Sequence, residues 1–333
     1  MIQSLTIENF RGFERLNVKP VKRINLIAGE NNTGKTAILE ALYLLLLNDS
    51  NQLGALPSTF RSASPSGHGM PTPDDFKNFW EFLFRDNELD LVPIIRAERA
   101  RESALFCRIE IGKQQNVSLS HQAQGPQISP FSVRVNACVG GHNPAQCKFL
   151  ALSSRLSDPA RDAELYNQAS LPGGNEEKLL GLIKVIEPRL EKLRYAKIPG
   201  TTQPMVYAYT SRKNPIPVTQ AGQGFSKLLT LFSEMLVSKA QVILIDELEN
   251  GLYYAILPEI WRGIAAVAEA ENIQIFATTH SRECIVAAHE CFKETPDYNF
   301  ALHRLQRVKD RIEAVSLDKG MLEVAIKSGL EVR

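Results

Sequence analysis

Three clusters in this chain combine residue types suited to phosphate chemistry. Gly29-Glu30-Asn31-Asn32-Thr33-Gly34-Lys35-Thr36 reads G-x-x-x-x-G-K-[ST], the pattern of a phosphate-binding P-loop. Asp246-Glu247 ends the apolar run Val242-Ile243-Leu244-Ile245, and His280 ends a second run beginning at Ile273. In such a loop the backbone N–H groups of Asn31, Asn32, Thr33, Gly34, Lys35, Thr36 and Ala37 converge on phosphate oxygens, helped by the dipole of the following helix. Lys35 then reaches the β- and γ-phosphates, and the Thr36 hydroxyl coordinates Mg²⁺. Asp246 is placed to hold the same ion, usually through water, and Glu247 to orient or deprotonate the attacking water. Two plainer readings stand beside these. An acidic pair can be a solvated strand end, and a lone histidine can be structural.

The elements needed to position these residues are legible around them. Ile24 to Ala28 is a short apolar strand, and Ala37 to Leu47 a helix former with almost no polar interruption, so the loop has the strand–loop–helix context its motif requires. The near-continuous hydrophobicity of Val242 to Ile245 fits a central strand of a parallel sheet, with acids at the carboxyl end where ligands bind. Ile273 to His280 follows by one helix, Pro258 to Ala270, which sets His280 beside the acidic strand and aims it at the same phosphate.

Elsewhere, residues 2–18 alternate as a hairpin about Arg11-Gly12. Residues 54–75 are rich in Gly, Pro and Ser and read as a surface loop. Short β-like runs at Val92–Ile95, Leu105–Ile111, Val117–Leu119 and Phe131–Val135 predict antiparallel hairpins, with a further strand at Phe149–Leu152. Helices are predicted over Asp162–Ala169 and Glu176–Leu193, the second kinked or divided at Pro188. Residues 199–217 read as Pro-rich loops. Val218 to Lys227 makes a glycine-containing turn that opens a helix over Lys227–Leu236. Ser281–His289, a hairpin of Asn299–Val308 with Arg311–Leu317, and a helix over Gly320–Lys327 complete the pattern.

Composition narrows the class. The 333 residues suffice for a large α/β domain with an inserted lobe, and 38 cations against 37 anions leave a net +1. That balance carries no global polybasic signature for nucleic acid or membrane. Five cysteines without a C-x-x-C pair fit buried thiols in a reduced, cytoplasmic protein. The start Met-Ile-Gln-Ser-Leu-Thr lacks the features of a secretory signal, and the longest apolar run is too short to span a bilayer.

The order of parts separates this chain from other P-loop proteins. A Gly-rich helix start precedes the Asp-Glu strand, a strand ending in His follows it, and the guanine-reading Asn-Lys-x-Asp is absent. Together with Ile7-Glu8-Asn9-Phe10-Arg11-Gly12-Phe13, Ile245 to Leu252, Thr278-Thr279-His280-Ser281 and the ending Ser328 to Arg333, these motifs resemble those of ABC-type ATPase heads of the RecF/SMC/OLD-like branch. More closely, they are similar to the AAA-family ATP-binding proteins related to OLD nucleases of bacterial phage-defence systems. The resemblance spans nearly the whole chain.

It implies an α/β fold: a P-loop NTPase, ABC-type ATPase head with an inserted β-plus-helical lobe. Residues 1–90 would form the first part of the head, 91–200 the lobe, and 201–333 the rest. Lys35 and Thr36 would be Walker A, Asp246 and Glu247 Walker B, Glu249 to Gly251 the D-loop and His280 the switch histidine. Arg11 resembles the arginine that approaches the nucleotide. Gly222, Gln223 and Gly224 match the signature loop, which in such heads acts on a partner's ATP across a dimer interface. Two departures bear on ATP-driven closure. The signature has Gln220-Ala221 where many heads have serine, and Lys227 stands where relatives often carry Arg. Gln52 lies in the region of a Q-loop glutamine.

About fifty residues follow His280, too few for the metal-binding TOPRIM nuclease domain of OLD nucleases. The expectation is an ATPase using ATP and Mg²⁺, dimerising or forming a higher oligomer with itself. It would regulate a separate effector, such as a TOPRIM-like nuclease or a toxin, in anti-phage defence. A RecF-like DNA-binding repair ATPase is the alternative, kept open by Arg96, Arg99, Arg101 and Arg108, which can equally form a solvated face with Glu98 and Glu102. A transporter subunit fits poorly, because the Asn-Phe-Arg-Gly-Phe pattern and the large insertion are foreign to it.

Overall fold

A computed structural model describes residues 1–47, 55–57, 59–61, 79–88, 90–100, 102–111, 117–121, 131–134, 147–152, 159–172, 174–197 and 203–333. Gln52, Arg101 and most of the Gly/Pro-rich stretch at 54–75 lie outside these residues.

The loop's strand, β3 (Ile24–Gly29), sits inside a six-stranded sheet between β13 (Gln274–Thr278) and β14 (Phe300–Val308). β12 (Val242–Ile245) flanks β13 and is followed by β8 (Phe149–Leu152), while β15 (Arg311–Leu317) pairs with β14 on the other side. All neighbours run parallel except the β14–β15 hairpin. Every residue of β3, β12 and β13 is buried, which is why each is mostly apolar rather than an alternation, and the buried Asn25 and Gln274 donate to backbone carbonyls. The registers Ile275↔Ile24 and Ile243↔Ile275 keep the three strands level, so Gly29, Asp246 and Thr278 emerge along one edge.

Alternation persists inside this burial, because each face has its own core. Ile243, Ile275 and Leu26 point into a helical layer built from α2 (Pro159–Ala169), α3 (Glu176–Ile183), α4 (Gln223–Val237), α5 (Leu257–Ala270), α6 (Arg282–Lys293) and α7 (Lys319–Lys327). Leu244, Phe276 and Ile27 point the other way, onto α1 (Lys35–Leu46). A second, antiparallel sheet covers the far side of α1, in the order β2 (Phe13–Val18), β1 (Ile2–Phe10), β4 (Ile94–Arg99), β5 (Glu102–Ile111), β6 (Val117–His121) and β7 (Phe131–Arg134). Sandwiched between sheets, α1 beyond its first turn is apolar on every side but one, where the buried Glu40 sits. Truncating Leu42, 0 % exposed, to Ala would cost about 2–5 kcal/mol.

Strands 4 to 7 form the antiparallel run that the sequence predicts, and β4 joins it to β1 through pairs such as Ile7↔Ile95. Three elements differ from expectation. The helix from Glu176 ends at Ile183, and β9 (Lys192–Ala196) follows. Pro188 cannot donate a helical hydrogen bond, and Leu193 between exposed Lys192 and Arg194 has the period of a strand. Met205–Tyr209, read as loop, is β10, paired with β9 and with the two-residue β11 (Ile216–Pro217). The α4 helix starts at Gln223, four residues before Lys227, with Gly222 as its N-cap. Among the described residues no helix is long and apolar enough to cross a membrane.

Candidate functional site

Backbone conformation shapes the loop first. Gly29 has φ +150°, and a Cβ there would lie 2.6 Å from the Leu305 carbonyl oxygen and 2.8 Å from Thr33 Oγ1. Gly34 has φ +88°, and a Cβ there would lie 2.5 Å from the Phe13 ring. Only glycine meets both demands. Thr33 Oγ1 donates to the Glu30 carbonyl at 2.8 Å and closes the turn. Gly34 provides no side-chain cap for α1. Among the described residues the N–H groups of Asn31 through Ala37 have no protein acceptor. Seven donors thus gather unmatched at a helix N-terminus, the arrangement that takes an anion.

Lys35 is folded onto its own loop, where Nζ donates to the carbonyls of Gly29 and Glu30 at 2.7 Å each. Burial lowers its pKa to about 8 even though Asp246 and Glu247 favour the charged form. Across the cleft, Thr36 Oγ1 lies 3.2 Å from Asp246 Oδ1. The Asp246 carboxyl is pushed up by burial, while bonds from Thr278 and Thr36 and the nearby Arg61 charge pull it back. A buried carboxylate beside a threonine hydroxyl and below a phosphate cradle suits a hard divalent cation with oxygen ligands.

Glu247 turns out of the strand with φ +47°, a left-handed conformation rare for glutamate. Its N–H is held by Thr278 Oγ1 at 2.8 Å, and Leu248 N–H donates to the Thr278 carbonyl at 3.1 Å. The turn aims the Glu247 carboxylate at His280, whose Nε2 is 3.7 Å from Oε1, both side chains being partly exposed to the cleft. Glu249 fixes the other side of this pair. Its Oε1 accepts from the N–H groups of His280 at 2.7 Å and Ser281 at 3.1 Å, while Ser281 Oγ caps α6.

The glycine loop before α4 stands beside this turn. Gly222 (φ +108°) is exposed, with open space where a side chain would point, and a Cβ on Gly224 would approach the Gly251 carbonyl at 3.0 Å. Gln223 is exposed as well. Lys227 Nζ donates to the carbonyls of Glu247 and Asn250 at 2.8 and 2.9 Å, tying α4 to the acidic turn. Burial lowers the Lys227 pKa to about 8, against the raising effect of Glu249 and Glu247.

Arg11 is not directed at the loop. Its guanidinium makes two bonds to Glu40, at 3.1 and 3.0 Å, and stacks 5.0 Å above the Phe79 ring. Arg61 takes the same carboxylate from the other side at 2.7 and 3.0 Å. A lone acid in the apolar stretch Ala37–Leu47 is the sequence signal that Glu40 needs cations, whereas no residue spacing marks Arg61 as its partner or gives the bonds made by Thr278 and Glu249.

A family model described as "AAA domain, putative AbiEii toxin, Type IV TA system" matches residues 24–285, the span from β3 into α6. The chain belongs to this AAA-domain family. The AAA domain is 25% identical over 334 residues to an ATP/GTP phosphatase of Helicobacter pylori, with 88% of this chain and 89% of the relative covered. A shorter stretch of 44 residues, 13% of this chain and 12% of the relative, is 46% identical to the DNA replication and repair protein RecF of Idiomarina loihiensis. Its fold is that of SMC heads. An SMC head bound to the C-terminal winged-helix domain of ScpA superposes with TM-score 0.60 over 98% of this chain and 99% of that one, at 13% identity. The SMC head of Thermotoga maritima gives 0.51 over 95% and 99%, at 12% identity. The AAA domain therefore has the P-loop NTPase fold of ABC-type heads.

Proposed function

We propose that this AAA domain binds and hydrolyses Mg·ATP, closes on a second copy of itself when ATP is bound, and thereby controls a separate effector in the cytoplasm during phage defence. The observation that carries the nucleotide part is the cradle of unmatched N–H donors from Asn31 to Ala37, set opposite Thr36 and Asp246. In this reading Lys35 leaves the Gly29 and Glu30 carbonyls for the phosphates, and Thr36 and Asp246 hold the cation. The ion, when bound, neutralises charge developing on the phosphate oxygens. Glu247 takes a proton from the attacking water or orients it, and His280 faces the γ-phosphate beside it. Arg11 exchanges Glu40 for the nucleotide.

Gly222, Gln223 and Gly224 are the surface that would cover a partner's nucleotide, because they form an exposed N-terminus of α4. Residues 1–90 and 201–333 would then carry the two halves of each composite site, with 91–200 as elaboration. The effector role rests on the toxin–antitoxin description of the family and on the motif order. Sizing of Glu247→Gln with ATP tests the dimer. A species no larger than the nucleotide-free wild type would refute it. GTP is the competitor to include, since one relative is named an ATP/GTP phosphatase. Co-purification with the product of the neighbouring gene, with and without ATP, tests the effector.

A further inference from the structure

Glu247 holds its unusual backbone only because both of its peptide groups are fixed. Its φ is +47°, and a left-handed glutamate persists where the surroundings over-determine it. On one side Thr278 Oγ1 accepts the N–H. On the other, the carbonyl takes Lys227 Nζ at 2.8 Å and the Asn250 N–H at 3.0 Å. Lys227 Nζ also donates to the Asn250 carbonyl at 2.9 Å, so one ammonium closes the mouth of the turn from Glu247 to Asn250. Hydrogen bonds from a charged donor are stronger than neutral ones, which suits a clamp.

The clamp comes from the helix that bears the exposed glycine loop. Lys227 lies one turn into α4, just after Gly222, Gln223 and Gly224. The missing side chain at Gly224 lets this helix meet the turn directly, since a Cβ there would be 3.0 Å from the Gly251 carbonyl. A Cβ on Gly251 would in turn lie 3.7 Å from the Cβ of Gln223. The start of α4 therefore touches Gly251 with its backbone, and Asn250 and Glu247 with the Lys227 ammonium. The far side of the turn is held separately, by Glu249 Oε1 on the His280 and Ser281 N–H groups. Glu249 Oε2 is buried and has no hydrogen-bond partner among the described residues. A first helical turn moves as a unit, because its backbone bonds tie the loop to Lys227.

We propose that Lys227 is a positioning residue for hydrolysis, whose ammonium carries the placement of the Gly222–Gly224 loop to the Glu247 carboxylate. The inference rests on the roles given above to Glu247 and to the loop. Lys227 itself touches neither nucleotide nor water. When the loop seats on a nucleotide, α4 sets the two carbonyls that Lys227 holds, and with them the direction in which Glu247 points. Without the ammonium, the loop still seats but the turn no longer follows it. A cation with three donors on a flexible stem can keep both carbonyls through a small shift of the helix. A purely structural tie would affect stability and ATP binding as much as turnover. A positioning tie affects turnover.

Steady-state hydrolysis and equilibrium binding of Mg·ATP, measured on the full chain, test this. Lys227→Met is expected to bind ATP with wild-type affinity while kcat falls by about 10²-fold, the scale of a small misplacement of a reacting group. Lys227→Arg, whose fork can span both carbonyls, should recover most of the turnover. Gly224→Ala pushes α4 off the Gly251 carbonyl and should lower kcat by itself. In the Lys227→Met background it should lower kcat no further, because the shift is no longer transmitted. Glu247→Gln serves as the reference. If it hydrolyses ATP at the wild-type rate, the role of Glu247 and this proposal fall together. If it is inactive while Lys227→Met keeps wild-type kcat, this proposal alone is overturned. Equal loss of turnover in Lys227→Arg and Lys227→Met would also overturn it, as would additive losses in Gly224→Ala/Lys227→Met.

Discussion

The Thr278 hydroxyl donates to Asp246 Oδ1 at 2.7 Å and, with the same oxygen, accepts the N–H of Glu247 at 2.8 Å. One side chain of β13 therefore sets both acids at the end of β12. Thr278→Val keeps the shape and removes both bonds. It is expected to lower unfolding free energy by about 1–3 kcal/mol, since a buried N–H and a carboxylate oxygen lose a partner. Hydrolysis should fall more than ATP binding. Chemical denaturation and steady-state kinetics on one preparation check this, and unaltered kcat would contradict it.

Lys35 links nucleotide binding to pH. Its pKa is lowered to about 8 because the ammonium is desolvated in the loop. Below pH 8 the free protein already carries the charge that the phosphates require. Above it, binding must draw in a proton. ATP affinity is expected to be level from pH 7 to 8, then to weaken by up to about tenfold per pH unit, with net proton uptake. Calorimetry in buffers of different ionisation enthalpy measures that proton. Lys35→Ala should abolish binding at every pH.

Glu249 is expected to act on the proposed chemistry through His280. Its Oε1 holds the His280 and Ser281 N–H groups, so it sets where the imidazole meets Glu247. Glu249→Ala should reduce kcat by about 10²-fold, the scale of a small misplacement of a reacting group, with KM little changed. Glu249→Gln retains an amide oxygen that can accept both bonds, and should recover most of the activity. Equal loss in both variants would show that the carboxylate does something other than positioning.

Gly34 is constrained twice, by φ +88° and by the Phe13 ring. Gly34→Ala should cost about 1–3 kcal/mol in backbone strain alone. The ring contact adds to that and tilts the first turn of α1. Loss of nucleotide binding in a folded protein, with Phe13→Leu/Gly34→Ala recovering part of it, is the expected pattern. No recovery would place the whole cost in the backbone.

Glu40 neutralises two guanidiniums from a fully buried position. Glu40→Ala leaves Arg11, 14 % exposed, without its counter-charge, and is expected to destabilise the fold by about 3–5 kcal/mol. Because Arg61 is 41 % exposed and can turn to water, most of the loss should trace to Arg11. A double-mutant cycle with Arg11→Ala measures that share.

Local sequence determined the parts of the site that depend on local geometry. The spacing from Gly29 to Thr36 dictates a turn whose N–H groups point one way, and the mostly apolar runs before Asp246 and His280 dictate strands buried on both faces. The helix–strand confusion at 184–196 shows the limit of that signal: Leu190 and Leu193 satisfy either period until Pro188 and pairing with β10 decide. Only the tertiary structure decided which strands are neighbours. Placing β13 between β3 and β12 sets Thr278 against Asp246, 32 residues away in the chain, and Glu249 against His280, 31 away. It also joined β1 to β4, brought Arg61 to Glu40, neutralised Arg96 and Arg99, and set Lys192 and Arg194 over the Tyr209 ring. Such partners depend on sheet order and on which charges lose water together, and neither quantity is written in the spacing of residues along the chain.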